Sequence, residues 1–139
     1  HLAAEAISQA LMLKTTNIST SSLNHKVLVY GEVQTPTQRA LAYRLVSNIP
    51  KVTHVYNQIK ITPSLSIANT SKDSWITSKV RVALFNAKKL HSAQVKVITE
   101  NSTVYLMGIL TKKQQLTATN AARKTSGVKK VITIFENIQ

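Results

Sequence analysis

The 139-residue sequence contains no cysteine, which excludes disulfide bonds, iron–sulfur clusters, thiol catalysis and thiolate zinc sites. With only three glycines and three prolines it is not a low-complexity chain, and it has no glycine-rich phosphate loop. No apolar run approaches the ~18 residues of a membrane span. No signal peptide is visible, and the chain begins at His1 inside a helical pattern, so we expect a processed N-terminus with any lipid-anchor segment upstream.

Acidic residues are also scarce. Five acids stand against eighteen Lys and Arg, which gives a formal net charge of +13. Residues 73–139 carry eleven of the bases against three acids, a net +8, whereas residues 1–62 carry a net +4. A surplus of this size indicates an anionic partner such as acidic lipid, nucleic acid or another polyanion, or else a protein that is simply cationic.

Residues that carry chemistry are few and isolated. The five acids form no paired-carboxylate site, and no nucleophile has a candidate base beside it. None of the four histidines has another histidine three or four positions away. The sequence therefore predicts neither enzyme activity nor a metal or cofactor.

The sequence contains an internal repeat. Residues 27–33 and 104–110 are alternating β-prone stretches with one glycine in the same place, Gly31 and Gly108. Each is followed by a polar, helix-competent segment, a Val-x-x-Val step and another β-prone run. An internal repeat fixes domain count and architecture together, so we predict two similar units.

Hydrophobic periodicity predicts the order helix, strand, strand, helix, strand in each unit. The predicted helices are 2–12, 36–49 with Thr35 as its N-cap, 74–87 and 112–126. The predicted strands are 18–23, 27–33, 52–61, 94–100, 103–110 and 128–138. The hairpin of the first unit is expected to be about four residues shorter than its counterpart. Three strands with one apolar face, covered by two helices, make an α+β two-layer sandwich, here two in tandem with αββαβ order.

The predicted domains are residues 1–62 and 73–139, joined by a Ser/Thr/Asn-rich connector, 63–72, in which Leu65 and Ile67 suggest some packing. Three glycines have predicted structural roles. Gly31 and Gly108 lie inside strands, where we expect a close helix backbone or a bulge. Gly127 fits the position just after a helix end, and Asp73 or Ser74 the cap that begins helix 74–87.

These signatures resemble the BON domain, present twice. The marks are Val-Tyr-Gly-Glu-Val and Leu-Met-Gly-Ile-Leu in the strands, the polar helix, and then Val-Tyr-Asn-Gln-Ile and Gly-Val-Lys-Lys-Val. With Asp-Ser-Trp-Ile-Thr-Ser-Lys-Val-Arg at the start of the second copy, the chain is similar to the dual-BON-domain outer-membrane lipoproteins of Gram-negative bacteria.

The resemblance implies an exported, non-enzymatic protein at the periplasmic face of the outer membrane that helps maintain its barrier. It implies an N-terminal lipidated cysteine, which would lie upstream of His1. It also implies that the first helix of the second domain binds anionic phospholipid of the phosphatidylglycerol type, with envelope proteins as further partners.

The residues of helix 74–87 fit that role. Ile76, Val80, Ala83, Leu84 and Ala87 form its core face, while Trp75 and Val82 project together elsewhere, with Phe85 flanking Val82. An aromatic strip among bases is typical of an interfacial membrane anchor. The predicted lipid-binding residues are Trp75, Ile76, Ser78, Lys79, Val82, Phe85 and Asn86, with a cationic rim of Arg81, Lys88 and Lys89.

Other interpretations are open at this point. Trp75 could instead be a hydrophobic staple or pack on the first domain, and Phe85 could belong to the core. The charge also fits nucleic acid, with Lys112-Lys113, Arg123-Lys124 and Lys129-Lys130 as a phosphate track, although no reading motif is present and we expect no nucleic-acid partner. A soluble periplasmic protein-interaction adaptor is the remaining class.

Overall fold

The computed structural model describes residues 17–63, 70–91 and 93–138, so the predicted helix 2–12 and the connector residues Leu65 and Ile67 lie outside the described residues. The strands are β1 (Asn17–Leu23), β2 (Lys26–Val33), β3 (His54–Ile61), β4 (Val95–Glu100), β5 (Thr103–Leu110) and β6 (Lys130–Asn137). The helices are α1 (Pro36–Ser47), α2 (Thr70–Asn86) and α3 (Lys112–Arg123), with a short 3-10 helix at Lys88–Leu90.

Two compact units, His1–Ile67 and Ala68–Gln139, each contain one three-stranded sheet. The strand order is β1-β2-β3 in one and β4-β5-β6 in the other. In both units the first pair is antiparallel and the second parallel, and the helix between the paired strands, α1 or α3, makes the crossover. The predicted fold class, two tandem α+β units, is confirmed.

Both hairpins turn in two residues. Leu23 pairs with Lys26 and Glu100 with Thr103, and the turn residues Asn24, His25, Asn101 and Ser102 all have positive φ. Positive φ at both central residues defines the turn that suits the twist of a hairpin. The left-handed Asn101 is confirmed. The expectation of a shorter first hairpin is wrong, because β1 extends over seven residues and β4 over six.

The crossover helices begin in the same way. Thr35 and Thr111 each accept a hydrogen bond from a backbone N–H three residues on, and Gln38 and Gln114 reach back to the N-cap N–H. This reciprocal capping box satisfies donors that the first turn of a helix leaves unpaired. The predicted N-cap at Thr35, with Pro36 at the first helical position, is confirmed.

Each unit has its own hydrophobic core on one face of its sheet. In the first, Val27, Val29 and Val33 of β2 pack with Ala42 and Val46 of α1, as the periodicity predicted. In the second, residues of α2, α3 and the sheet form the corresponding cluster. Its buried members are Ile76, Val80, Leu84, Leu90, Val97, Val104, Leu106, Leu110, Ala118 and Ala122.

The strand glycines face a neighbouring strand rather than a helix, which corrects the expectation of a helix backbone or a bulge. A Cβ on Gly31 would overlap the carbonyl oxygen of Asn17 at the start of β1, and its φ is +119°. A Cβ on Gly108 would lie 3.0 Å from the carbonyl oxygen of Gln94. The pairing of β1 with β2 continues in register past Gly31, whereas Gly108 pairs with Val95, the first residue of β4, and Gln94 directly precedes that strand.

Two helix ends also differ from the prediction. α2 begins at Thr70, so neither Asp73 nor Ser74 is its cap. α3 ends at Arg123 with Lys124 as its C-cap, so Gly127 lies in the turn to β6 rather than directly after the helix. Gly127 has φ +91°, and a Cβ there would lie 3.3 Å from Ile76 Cγ1, so glycine lets this turn approach α2 closely.

Candidate functional site

Asp73 joins the first turn of α2 to the hairpin between β4 and β5. Its buried carboxylate accepts hydrogen bonds from the backbone N–H of Asn101, at 2.8 Å, and of Ser102, at 2.9 Å. It is the only acid in α2, whose other charged residues are Lys72, Lys79 and Arg81. Because that acid faces inward, every charge on the exposed surface of this helix is positive.

Three large apolar side chains of α2 are exposed and form what we name the exposed strip: Trp75, Val82 and Phe85. Their exposed fractions are 65%, 59% and 79%. Among the described residues, Leu116 of α3, at 64%, is the one other large apolar side chain above 50%. Trp75 is therefore not sealed inside the protein, and Phe85 is not part of the core.

Ile76 corrects the predicted site. It is 1% exposed and belongs to the core of the second unit, so it cannot reach a membrane from the folded protein. Its neighbours on the predicted core face, Val80 and Leu84, are buried with it. Of the polar residues predicted at the site, Ser78 and Asn86 are exposed beside the strip.

Lys79 is held in place by groups far away in the sequence. Its Nζ donates to the carbonyl oxygen of Ser126 at 2.7 Å and to Ser126 Oγ at 2.8 Å. The same ammonium lies 5.9 Å from the centre of the Trp75 ring, within the range of a cation–π contact. Lys79 thus ties α2 to the turn after α3 and flanks the indole, a positioning role that its place on the helix did not reveal.

The predicted cationic rim is at the surface. Arg81, Lys88 and Lys89 are all exposed, Arg81 on α2 and the two lysines on the 3-10 helix that follows it. The side chain of Gln114 donates to the carbonyl of Lys89 at 3.1 Å, which fixes the 3-10 helix against α3. The structure therefore places an exposed apolar strip and exposed bases on one continuous segment, residues 70–91.

A second group of bases lies in the same unit. Arg123, Lys129 and Lys130 line a cavity of about 460 Å³ together with Val128 and Val131. The structure thus brings the predicted pair Lys129-Lys130 together with Arg123, one member of a second pair that the sequence suggested for a phosphate track. Among residues 17–63, 70–91 and 93–138, no three His, Asp or Glu side chains are grouped so that they could hold a metal ion. Nor does that part of the chain contain a helix both long and apolar enough to cross a bilayer.

Comparison with known proteins gives a consistent family. The model of the BON domain matches residues 3–63 and again residues 72–136. The outer membrane lipoprotein DolP of Haemophilus influenzae is 38% identical over 119 residues, which are 86% of this chain and 62% of that protein. The 21 kDa hemolysin of Actinobacillus pleuropneumoniae is 33% identical over 130 residues, 94% of this chain and 67% of that protein.

Among solved structures, CdsD, a structural protein of the type III secretion system of Chlamydia trachomatis, aligns with 97% of this chain and 91% of its own. The sequence identity is 11% and the TM-score 0.40, and a likeness this loose carries no argument.

Proposed function

The chain belongs to the BON-domain family, and on that premise we propose that it is a non-enzymatic, outer-membrane-associated protein that docks on anionic phospholipid through α2. The observation that carries the proposal is the exposed strip, because a tryptophan and a phenylalanine this exposed are costly to keep in water, and they lie on a helix whose exposed charges are all positive. The Haemophilus relative is named an outer membrane lipoprotein, which supports the same compartment.

In the proposed contact, apolar side chains enter the membrane and charged side chains bind lipid phosphates. The Trp75 indole sits at the level of the lipid headgroups, Val82 and Phe85 enter the boundary of the acyl chains, and Arg81, Lys88 and Lys89 face phosphates. Each base near an acidic surface contributes about 1 kcal/mol. Together with one shallow apolar strip, this gives reversible binding rather than a permanent anchor.

The proposal includes a lipid anchor outside His1–Gln139, since the Haemophilus relative is a lipoprotein and this chain spans only 62% of its length. With such an anchor at the periplasmic face of the outer membrane, docking of α2 would add a second attachment point. Two weak attachments on one molecule strengthen each other through effective concentration. We propose that the protein contributes to the membrane barrier from this position.

The test compares two matched substitutions, Trp75→Glu and Leu116→Glu. Both replace a side chain about two-thirds exposed in the second unit, 65% and 64%, with the same charged group. Removing the indole that we propose enters the bilayer should weaken binding to phosphatidylglycerol-containing vesicles by about 10- to 100-fold, because its burial there contributes ~1.5–3 kcal/mol. We expect less than a threefold change for Leu116→Glu.

Binding is measured by vesicle flotation and by titration of the folded proteins, with circular dichroism as the check on folding. Unchanged vesicle affinity in folded Trp75→Glu, or an equal loss in both variants, would contradict the assignment to α2.

A further inference from the structure

Beside the exposed strip lies a cavity of about 440 Å³, which we name the α2 groove. It is formed where α2 ends, where the 3-10 helix turns the chain, and where β4 begins. Its apolar lining is Leu84, Phe85, Leu90, Ala93 and Val95, and its polar lining is Arg81 and His91. All of these residues belong to the second unit.

The lining is graded from apolar to cationic. Leu84 and Leu90 are buried members of the core, whereas Ala93 and Val95 are half-buried. Phe85, Arg81 and His91 are exposed, and the rings of Phe85 and His91 are 6.4 Å apart, centre to centre. Among the described residues no acid lines the groove, so it offers an apolar interior and a basic surface.

Backbone hydrogen bonds hold the walls of the groove in place. Successive hydrogen bonds spanning three residues run from Ala87 N to Leu84 O, from Leu90 N to Ala87 O and from Ala93 N to Leu90 O, at 3.0–3.1 Å. The Gln114 contact with Lys89 holds the same segment from α3. The groove is therefore part of the folded unit, and its volume lies within the ~300–1,000 Å³ typical of small-ligand pockets.

We propose that the α2 groove takes up a single acyl chain of an anionic phospholipid, with the phosphate held by Arg81 and His91. Two observations select this occupant. The basic residues at an apolar groove complement a molecule with a phosphate at one end and a hydrocarbon chain at the other. Phe85 belongs both to the groove and to the exposed strip, so the groove opens onto the surface proposed to meet lipid.

The inference deepens the proposed function and rests on it, because it names the lipid group that this surface recognises. Docking of the strip alone would need only an acidic bilayer surface. Insertion of one chain into the groove would additionally select phospholipid molecules whose chain can leave the bilayer.

The test separates the groove from the strip by using lipid that forms no bilayer. The full chain is titrated with short-chain lysophosphatidylglycerol below its critical micelle concentration, followed by calorimetry and by amide and methyl NMR shifts. Saturable binding is expected, with contacts between acyl protons and the methyl groups of Leu84 and Leu90 in the unsubstituted protein. Zwitterionic lysophosphatidylcholine should bind at least fivefold more weakly.

Substitutions in the α2 groove and in the exposed strip are expected to have opposite effects on lysolipid binding and vesicle binding. Ala93→Phe, which fills the groove, should weaken lysolipid binding at least tenfold while vesicle binding changes less than threefold. Trp75→Glu should do the reverse. Arg81→Gln should weaken lysolipid binding more than Lys72→Gln, which removes the same charge from the other end of α2.

Absence of saturable lysolipid binding, or shifts confined to Trp75 and Val82, would overturn the groove proposal while leaving vesicle docking intact. Absence of vesicle binding by the unsubstituted protein, with lysolipid still bound at Leu84 and Leu90, would overturn the docking proposal instead. If Ala93→Phe fails to fold, the contacts to Leu84 and Leu90 in the unsubstituted protein decide the question.

Discussion

The role of Asp73 in the structure differs from the role that the neighbouring sequence predicts for it. An aspartate near the start of a helix is typical of a cap. Here the helix begins at Thr70, three residues earlier, and the carboxylate instead binds the N–H groups of Asn101 and Ser102 in the hairpin turn. That turn lies nearly 30 residues away, so periodicity alone could not reveal the contact.

We predict that Asp73→Ala lowers the free energy of unfolding of the second unit by about 2–4 kcal/mol. The substitution leaves two N–H donors without their charged acceptor, a buried one at Ser102 and a part-buried one at Asn101, and an unpaired buried group costs ~1–3 kcal/mol. Ser74→Ala, at the exposed neighbouring position, should stay within about 0.5 kcal/mol. Urea unfolding followed by the fluorescence of Trp75, the only tryptophan, measures both; equal effects would refute the anchoring role of Asp73.

The residues of the candidate site divide into those that helical spacing predicts and those that it does not. The core face of α2 and the separate position of Trp75 and Val82 follow from 100° per residue, and exposure agrees. Ile76 was wrongly added to the lipid-facing group although the same spacing put it in the core. The bond from Lys79 to Ser126, 47 residues apart, depends on how α2 and α3 pack and has no local signal.

At the scale of helices and strands, the order of elements was predictable because apolar periods and turn residues are local. The residues at which the helices end were less predictable. α3 stops at Arg123, where the N–H of Lys124 bonds back to the carbonyl of Asn120 and the chain begins its turn toward β6. The α2 groove was not foreseen at all, because it depends on the path of the 3-10 helix between α2 and β4.

The two strand glycines support a prediction about paired strands. Gly31→Ala should destabilise the first unit on the order of 3 kcal/mol, because alanine must adopt a φ of +119° and its Cβ meets the Asn17 carbonyl. Gly108→Ala should change the second unit by only about 1 kcal/mol, since its backbone is ordinary and Gln94 must move slightly.

The unfolding of each unit is measured in urea titrations of each variant by monitoring the amide NMR resonances of that unit. The unit without the substitution serves as an internal control. A larger loss from Gly108→Ala than from Gly31→Ala would show that the strand spacing seen at these positions does not govern stability.

For the molecule as a whole, a net charge of +13 attracts polyanions in general, in addition to supporting one defined surface. The basic cavity of Arg123, Lys129 and Lys130 lies outside α2 and could attract any polyanion. Added salt weakens binding to lipid and to DNA alike, so ionic strength does not distinguish the two.

Side-by-side titration against acidic vesicles, zwitterionic vesicles and duplex DNA does distinguish them. We expect acidic vesicles to bind at least tenfold more tightly than either alternative at physiological salt, because they alone offer both phosphates and an apolar layer. Equal affinity for DNA and acidic vesicles would identify a nonspecific polycation.

The contacts made by Asp73 in the first turn of α2 and by Lys79 near its middle have a consequence for the rate and energetics of attachment. Many membrane-active segments are unstructured in water and must coil up on arrival, which costs conformational entropy. Helix α2 is already folded before it reaches the bilayer, because Asp73 bonds it to a hairpin and Lys79 bonds it to a neighbouring turn. Association with the membrane and dissociation from it can then both be fast rigid-body steps, because neither requires the helix to fold or unfold.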